Sequence, residues 1–301
     1  MTKPSQADRS LSLAQALKHG RARLQAAGIE GAALDARLLL QFISGTRHND
    51  ILATPDHLLN GSQIRAYESV LARRVGREPV ARITGRRSFY DADYLIDAST
   101  LDPRPDSETL VEAVLNVAHQ LPASQSGQIL DLGTGSGCLL IAALRQLPNW
   151  SGVGVDVQAR AVRMARINAA RLGVDERVFF RHGNWFDPLS LSHRHAFDVI
   201  LSNPPYIPIS DRRALMPEVA KFDPGRALFA GRTGLSAYEV IVPRSVAYIK
   251  AGGWLVCEIG LGQEDDVMQI FADAGYGEID IVKDLTDRPR VVRGRYRAIA
   301  R

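Results

Sequence analysis

The stretch Gln128-Ile129-Leu130-Asp131-Leu132-Gly133-Thr134-Gly135-Ser136-Gly137 decides the fold. Its first five residues read as a short apolar strand, and three alternating glycines follow. Such glycines let the backbone turn tightly and approach a ligand, with the N-terminus of the next helix behind them. The spacing is G-x-G-x-G, where dinucleotide sites use G-x-G-x-x-G, and the acidic Asp131 stands at the strand's end. A carboxylate there suits the ammonium of an amino-acid-like ligand and repels a pyrophosphate.

Downstream, Gly152-Val153-Gly154-Val155-Asp156 reads as a second strand. Asp156 lies 19 residues after Gly137, where an acidic side chain in such folds accepts hydrogen bonds from both ribose hydroxyls. An adenosine with a free amino-acid end satisfies both acidic positions, and S-adenosylmethionine (SAM) fits that description. Val162, Ala165, Ala169 and Leu172 form the apolar face of the intervening helix. Val178-Phe179-Phe180, Phe197-Asp198-Val199-Ile200-Leu201 and Trp254-Leu255-Val256-Cys257-Glu258-Ile259 read as further strands. Ile279, Ile281, Val291, Val292 and Tyr296 mark a final pair. Strands alternating with helices predict an α/β fold with an open, doubly wound, mainly parallel sheet.

Upstream the pattern is different. Leu11, Leu13, Ala14, Leu17 and Leu24 recur at helical spacing. Ala32, Leu34, Leu38, Leu39 and Phe42 form a second run, and Ile64, Tyr67, Leu71 and Val75 a third that ends at Gly76. Residues 1–80 are therefore expected to be a small helical bundle. Gly85 and residues 88–96 read as a β-hairpin linker over 81–103, and 104–301 as the α/β domain. Pro103 and Pro105 stiffen the chain, and Asp106 or Ser107 is expected to cap a helix through Leu110, Val111, Val114 and Leu115.

Ser202-Asn203-Pro204-Pro205-Tyr206 follows directly on the strand ending at Leu201. With the usual switch point that strand lies beside the glycine-loop strand, so the motif borders the ligand crevice. Two successive prolines exclude helix and leave the Pro204 carbonyl free to accept a hydrogen bond. The Asn203 side-chain oxygen is a second acceptor, and Tyr206 offers an aromatic face. Two acceptors converging on one NH2 group bind a planar amide or an exocyclic amine.

Asn203 to Tyr206 with the glycine loop upstream resembles the SAM-dependent amino-methyltransferases. Within them the chain is similar to the HemK/PrmC family, protein-(glutamine-N5) methyltransferases acting on peptide chain release factors. The likeness runs through Glu78-Pro79-Val80-Ala81, Gly85 and Phe89, Pro103-Arg104-Pro105-Asp106-Ser107-Glu108, the glycine loop, Pro217-Glu218-Val219, Asp223-Pro224, Ala227-Leu228, Arg290-Val291-Val292 and Gly294-Arg295. It covers residues 78–301, whereas the N-terminal region matches in length and character. The resemblance implies a Rossmann-like SAM-dependent methyltransferase domain, a β-hairpin linker and an N-terminal helical domain for partner recognition. The implied substrate is the glutamine of a Gly-Gly-Gln motif. Asp131, Gly133, Thr134, Gly135, Ser136, Gly137 and Asp156 would hold SAM, and Trp185 would flank adenine. Asn203, Pro204, Pro205 and Tyr206 would bind the target glutamine, with Asn203, Pro204 and Tyr206 catalytic and Asn203 shared with the SAM site. The family often has an acidic residue before that tryptophan; here Asn184 stands there, and its amide is expected to reach adenine instead. Asp102 occupies a position that is commonly aliphatic. Ribosomal-protein glutamine methyltransferases share Asn-Pro-Pro-Tyr, but Arg104 to Glu108 favours the release-factor branch.

Composition narrows the alternatives. Hydrophobic residues are 46% and charged residues 23% of 301, ordinary globular usage that argues against disorder and fibrous repeats. Residues 1–80 hold 11 Lys/Arg against 7 Asp/Glu, so the net +4 belongs entirely to that quarter and residues 81–301 are balanced. An adenine or guanine amino-methyltransferase would need a basic channel, which this balance disfavours; a release-factor partner without direct nucleic-acid contact is expected. A non-catalytic SAM-binding module would not need an intact Asn203 to Tyr206. Two cysteines, Cys138 and Cys257, in apolar stretches suit a reducing cytoplasm. No apolar run spans a bilayer, and the first twenty residues lack a signal-peptide core. A soluble cytoplasmic monomer without metal is expected. His193 and His195 read as a solvated loop, Cys138 as a packing residue, and Glu108 as a first-turn carboxylate or a substrate-positioning group.

Overall fold

The computed structural model describes residues 11–121 and 126–297. These form two compact units: residues up to Gly85 together with Pro217–Phe222, and Arg86–Met216 together with the residues from Asp223 onward.

In the first unit β1 (Leu11–Ser12) pairs antiparallel with β2 (Leu58–Leu59), and five helices follow the chain: α1 (Leu13–Ala26), α2 (Ala32–Ser44), α3 (His48–Ala53), α4 (Gly61–Val75) and α5 (Val80–Thr84). Ser12 with Gln15 and Asn60 with Gln63 form capping boxes, which satisfy the first amides of α1 and α4. Leu13, Leu24, Leu39, Leu40, Tyr67 and Leu71 are core. The Tyr67 hydroxyl donates to the Ala36 carbonyl at 3.0 Å. A Cβ on Gly20 would stand 2.0 Å from that hydroxyl, so glycine is required for the approach. The expected face of α2 is corrected: Ala32, Ala36, Leu39 and Leu40 are buried, while Leu34, Leu38 and Phe42 are 49%, 38% and 47% exposed. The short β1–β2 pair, α3 and α5 carry too few residues for a periodic signal. The helix Pro217–Phe222 belongs to this unit, and Glu218 accepts from Arg74 at 3.2 Å and Arg77 at 3.3 Å.

The second unit opens with the hairpin β3 (Arg86–Phe89) and β4 (Ala92–Leu95), in register from Arg86↔Leu95 to Phe89↔Ala92. A 3-10 turn (Pro105–Ser107) leads into α6 (Glu108–Gln120). Next come β5 (Gln128–Leu132), α7 (Cys138–Gln146), β6 (Ser151–Asp156), α8 (Ala159–Arg171), β7 (Val178–His182) and β8 (Phe197–Ser202). β9 (Ile249–Glu258), β10 (Tyr276–Lys283) and β11 (Pro289–Tyr296) complete the sheet. The helices Ser236–Ser245 and Glu264–Asp273 flank β9. The seven strands lie in the order β10-β11-β9-β8-β5-β6-β7. β9, β8, β5, β6 and β7 are parallel, and β11 runs antiparallel to β9 and β10.

Alternate residues of each central strand enter opposite cores, as a two-residue repeat requires. Ile129, Val199 and Leu201 join the layer with Leu110, Val114 and Leu140. Leu130, Leu132 and Ile200 join the layer with Tyr238 and Phe271. From β5 the chain proceeds through β6 and β7 on one side and then returns to β8 on the other, which opens a crevice at the strand ends. Leu132 pairs with Ser202, so Gly133 and Asn203 leave the sheet side by side. Neither Asp106 nor Ser107 caps α6 with its side chain; Ser107 spends its hydroxyl elsewhere, as described below.

Candidate active site

The glycine loop is held by its own backbone and by the next strand. Gly133 and Thr134 both donate to the Val155 carbonyl, at 2.8 and 3.0 Å, and Gly137 donates to Thr134 at 2.8 Å. Gly137 has φ +81°, and a Cβ there would lie 2.9 Å from Ile141 and 3.1 Å from Ala165, so glycine brings the loop against α7 and α8. Asp156 Oδ2 accepts from the Gly135 amide at 2.8 Å and Oδ1 from Gln158 at 2.7 Å. Burial holds its carboxyl above the usual range despite those two donors.

Asp131 is fully buried behind the loop. Its Oδ2 accepts from the Thr134 hydroxyl at 2.6 Å, and burial pushes its pKa up to about 7. Its Oδ1 is buried with no hydrogen-bond partner among the described residues. Asn168, in the last turn of α8, was not foreseen. Its amide donates to the carbonyls of Leu95 and Ser136, each at 2.9 Å, and accepts from the Leu95 amide at 2.8 Å. It thereby joins the hairpin to the glycine loop. The only prior signal is a lone polar residue on the apolar face set by Val162, Ala165 and Ala169.

An open cleft lies at the β5–β8 crevice. Of the expected site residues, Gly133, Thr134, Gly135, Ser136, Asp156, Asn184, Trp185, Asn203 and Pro205 line it; Asp131, Gly137, Pro204 and Tyr206 adjoin these in sequence but are not among its lining residues. Trp185 adopts φ +47°, a conformation that bulky residues hold only where the surroundings impose it. Arg104, Ser107 and Arg226 complete the far side. Arg104 pairs with the buried Asp223.

Asn203 donates from Nδ2 to Glu258 Oε2 at 2.8 Å and to Ser107 Oγ at 3.1 Å. Glu258 ends β9 and is 1% exposed. Burial pushes its carboxyl up to about 7, while Ser107, Arg290 and Asn203 pull it down and Asp106 pushes it further up. Tyr238 Oη holds the Glu258 backbone carbonyl at 2.8 Å. Arg290 bridges Asp106 at 2.9 Å and Asp284 at 3.2 Å, fixing the turn that carries Ser107. Burial, then Glu258, pushes the Tyr206 phenol up to about 12. Its backbone carbonyl accepts from Gln263 Nε2 at 3.0 Å, and a Cβ on Gly234 would stand 2.4 Å from that carbonyl.

Of the remaining candidates, Cys138 also lines the cleft, whereas Glu108, His193 and His195 do not. Glu108 accepts from the Tyr90 amide at 2.9 Å and braces the hairpin turn. His195 Nδ1 lies 3.1 Å from the Ile249 carbonyl and His193 Nδ1 2.7 Å from the Ser190 hydroxyl. Cys138 is buried at the start of α7, its thiol pushed up to about 12 by burial.

The cleft fits SAM. Each Asp156 oxygen has one backbone donor and keeps acceptor capacity for a ribose hydroxyl. The turn at Gly133 and Gly135 bares backbone toward the ligand, and the unpartnered Asp131 Oδ1 leaves a free acceptor behind the loop that suits a cation when the carboxyl is ionised. Sheet order, switch point and cleft together define a class I SAM-dependent methyltransferase. The catalytic domain of hMettl16, solved in complex with the MAT2A 3'UTR hairpin 6, has the same fold at TM-score 0.54 and 14% identity, over 69% of this chain and 76% of that one. The PrmC N-terminal domain family matches residues 15–85 and the methyltransferase small domain family residues 110–218.

The chain belongs to the release factor glutamine methyltransferase family. It is 43% identical to the release factor glutamine methyltransferase of Rhodospirillum rubrum over 98% of this chain and 89% of that protein. It is 38% identical to that of Caulobacter vibrioides over 95% and 96%. A bifunctional methyltransferase of Rickettsia bellii is 36% identical, and the chain spans 54% of its length.

Proposed function

We propose that this enzyme transfers a methyl group from SAM to the side-chain amide nitrogen, N5, of the glutamine in the Gly-Gly-Gln motif of peptide chain release factors. One observation carries the reading: β5 and β8 are neighbours, so Asn203 and Pro205 share a cleft wall with Gly133 to Ser136. The relatives named above support release factors as the substrate class.

Bound SAM supplies an electrophilic methyl group on a sulfonium and leaves as a neutral thioether. The carboxamide nitrogen is a weak nucleophile because its lone pair is delocalised, so the chain's contribution is placement. Holding two reactants in near-attack geometry contributes about 7–11 kcal/mol. Asn203 Oδ1 and the Pro204 carbonyl take no hydrogen bond from the described residues and accept the two amide hydrogens of the substrate. They also stabilise the positive charge that grows on the nitrogen. Tyr206, held through its carbonyl by Gln263, packs against the amide plane. The methylated nitrogen is strongly acidic and loses its proton to solvent, so no side-chain base is needed.

The N-terminal unit is assigned to grip the release factor, with its basic excess and the exposed Leu34, Leu38 and Phe42 on α2 as the candidate surface. The reaction is assigned to the cytoplasm, where release factors act; no described helix is long and apolar enough to cross a membrane.

The test is incubation with radiolabelled-methyl SAM and a release factor, beside a copy whose Gly-Gly-Gln glutamine is alanine. Label in the first alone is expected. Equal label in both moves the acceptor elsewhere on the factor, and label only in ribosomal proteins or nucleic acid overturns the substrate.

A further inference from the structure

A carboxamide can present either end to a ligand. Only with Oδ1 toward the cleft can Asn203 accept from a substrate NH2 group; turned over, it would offer hydrogens to hydrogens. The Asn-Pro-Pro-Tyr motif does not itself choose between the two. The choice is made from behind, by β9. Ser202 pairs with Cys257, so Asn203 and Glu258, each one residue further on, stand side by side at the ends of adjacent strands. Glu258 Oε2 and Ser107 Oγ take the two Nδ2 hydrogens, and Ser107, 3% exposed, lies within hydrogen-bonding reach of the Glu258 carboxyl in turn. The three side chains close a ring. An ionised carboxylate can only accept, so a turned Asn203 would set two acceptor oxygens face to face in a buried site, an arrangement with a large desolvation and repulsion cost.

We propose that Glu258 is a positioning residue for methyl transfer: it holds Asn203 with its oxygen toward the acceptor amide and, as an anion, strengthens that oxygen as positive charge develops on the glutamine nitrogen. The inference rests on Asn203 being the contact to the acceptor amide. The ring is faced by Arg290 on β11, Asp106 on the 3-10 turn, Tyr206 after β8 and Tyr238 on the helix Ser236–Ser245. Protonated Glu258 tolerates either orientation of Asn203. Turnover should therefore fall as pH drops through about 7.

Two measurements test this. In steady-state methylation, Glu258→Ala should lower kcat on the order of 100-fold with SAM affinity unchanged within about twofold. Glu258→Gln keeps an acceptor without the charge; at saturating SAM, where the Asp131 effect on affinity drops out, it should lose about tenfold and no longer show the acid limb. The second measurement needs no substrate. In 15N-labelled protein the Asn203 side-chain NH2 pair, assigned by its absence in Asn203→Ala, should exchange slowly with water and become solvent-like in Glu258→Ala. A folded Glu258→Ala enzyme within about threefold of the parent kcat, or an unchanged Asn203 NH2 pair, overturns the proposal. If the parent enzyme labels no release factor, the functional reading falls, and the NH2 exchange still decides the role of Glu258.

Discussion

The Gly135 amide donates to Asp156 Oδ2 at 2.8 Å, so the carboxylate proposed to hold the ribose also braces the loop proposed to hold the methionine end. Asp156→Ala would remove both functions at once. SAM affinity should fall on the order of 100-fold or more, because hydrogen bonds to a charged group are worth about 1.5–3 kcal/mol each. Asp156→Asn, with one acceptor oxygen for two backbone donors, should fall in between. Calorimetric titration of SAM into each variant checks the order; an Asn variant as tight as the parent would remove the bracing role.

Asn168 is the buried joint between hairpin and loop. Its replacement by alanine leaves the Leu95 amide and two carbonyls without partners. Thermal and urea unfolding should show a loss of about 2–4 kcal/mol, accompanied by weaker SAM binding as Ser136 loosens. An unchanged melting temperature would mean water replaces all three bonds.

Asp131 sets stability against ligand binding. Folding raises its pKa from 3.8 to about 7 and so favours the protonated form. That contribution is complete below the unfolded value and is lost as pH rises toward 7. Asp131→Asn keeps an acceptor for Thr134 without the charge. It should melt higher than the parent at pH 8 and nearly equally at pH 4. It should also bind SAM more weakly at pH 8, where the parent's buried anion attracts the cationic ligand. A variant that gains stability without losing affinity would separate Asp131 from the ligand.

Arg74 carries the charge network of the first unit. Its side chain is 9% exposed and bonds Asp35 at 2.7 Å and Glu218 at 3.2 Å. Arg74→Ala leaves Asp35 without its guanidinium and Glu218 with Arg77 alone, and should cost about 2–4 kcal/mol in urea unfolding. Burial pushes the Glu218 carboxyl up, but its own backbone amide, Arg74 and Arg77 outweigh that and leave it below its usual value. Its contribution is therefore present above the unfolded pKa and lost as pH falls through the folded one. In Arg74→Ala the acid-dependent part of the unfolding curve should shrink.

What the sequence made legible was local. The strand ending at Leu132, the glycine turn and the strand read as ending at Leu201 are each set by residues within a few positions. Their adjacency follows from the general topology of such sheets. The buried face of α2 was misread because that helix is apolar on two sides: Leu34, Leu38 and Phe42 recur as regularly as Ala32, Ala36, Leu39 and Leu40, and periodicity does not say which stripe meets the core. Ser107 read as a cap because a serine before a helix usually is one. Its partner Asn203 is 96 residues away, and no window along the chain contains both. Glu258 looked like one more strand residue for the same reason. Asn168 could be singled out only as an anomaly on an apolar face.

The three tryptophans are unequally placed. Trp150 and Trp254 are buried in the core of the second unit, whereas Trp185 lines the cleft. The enzyme thus carries a built-in optical probe: indole emission that changes when a purine enters would come from Trp185, against a steady background from the other two. Occupancy of the donor site can be followed in real time in the unlabelled protein, in every variant that keeps Trp185.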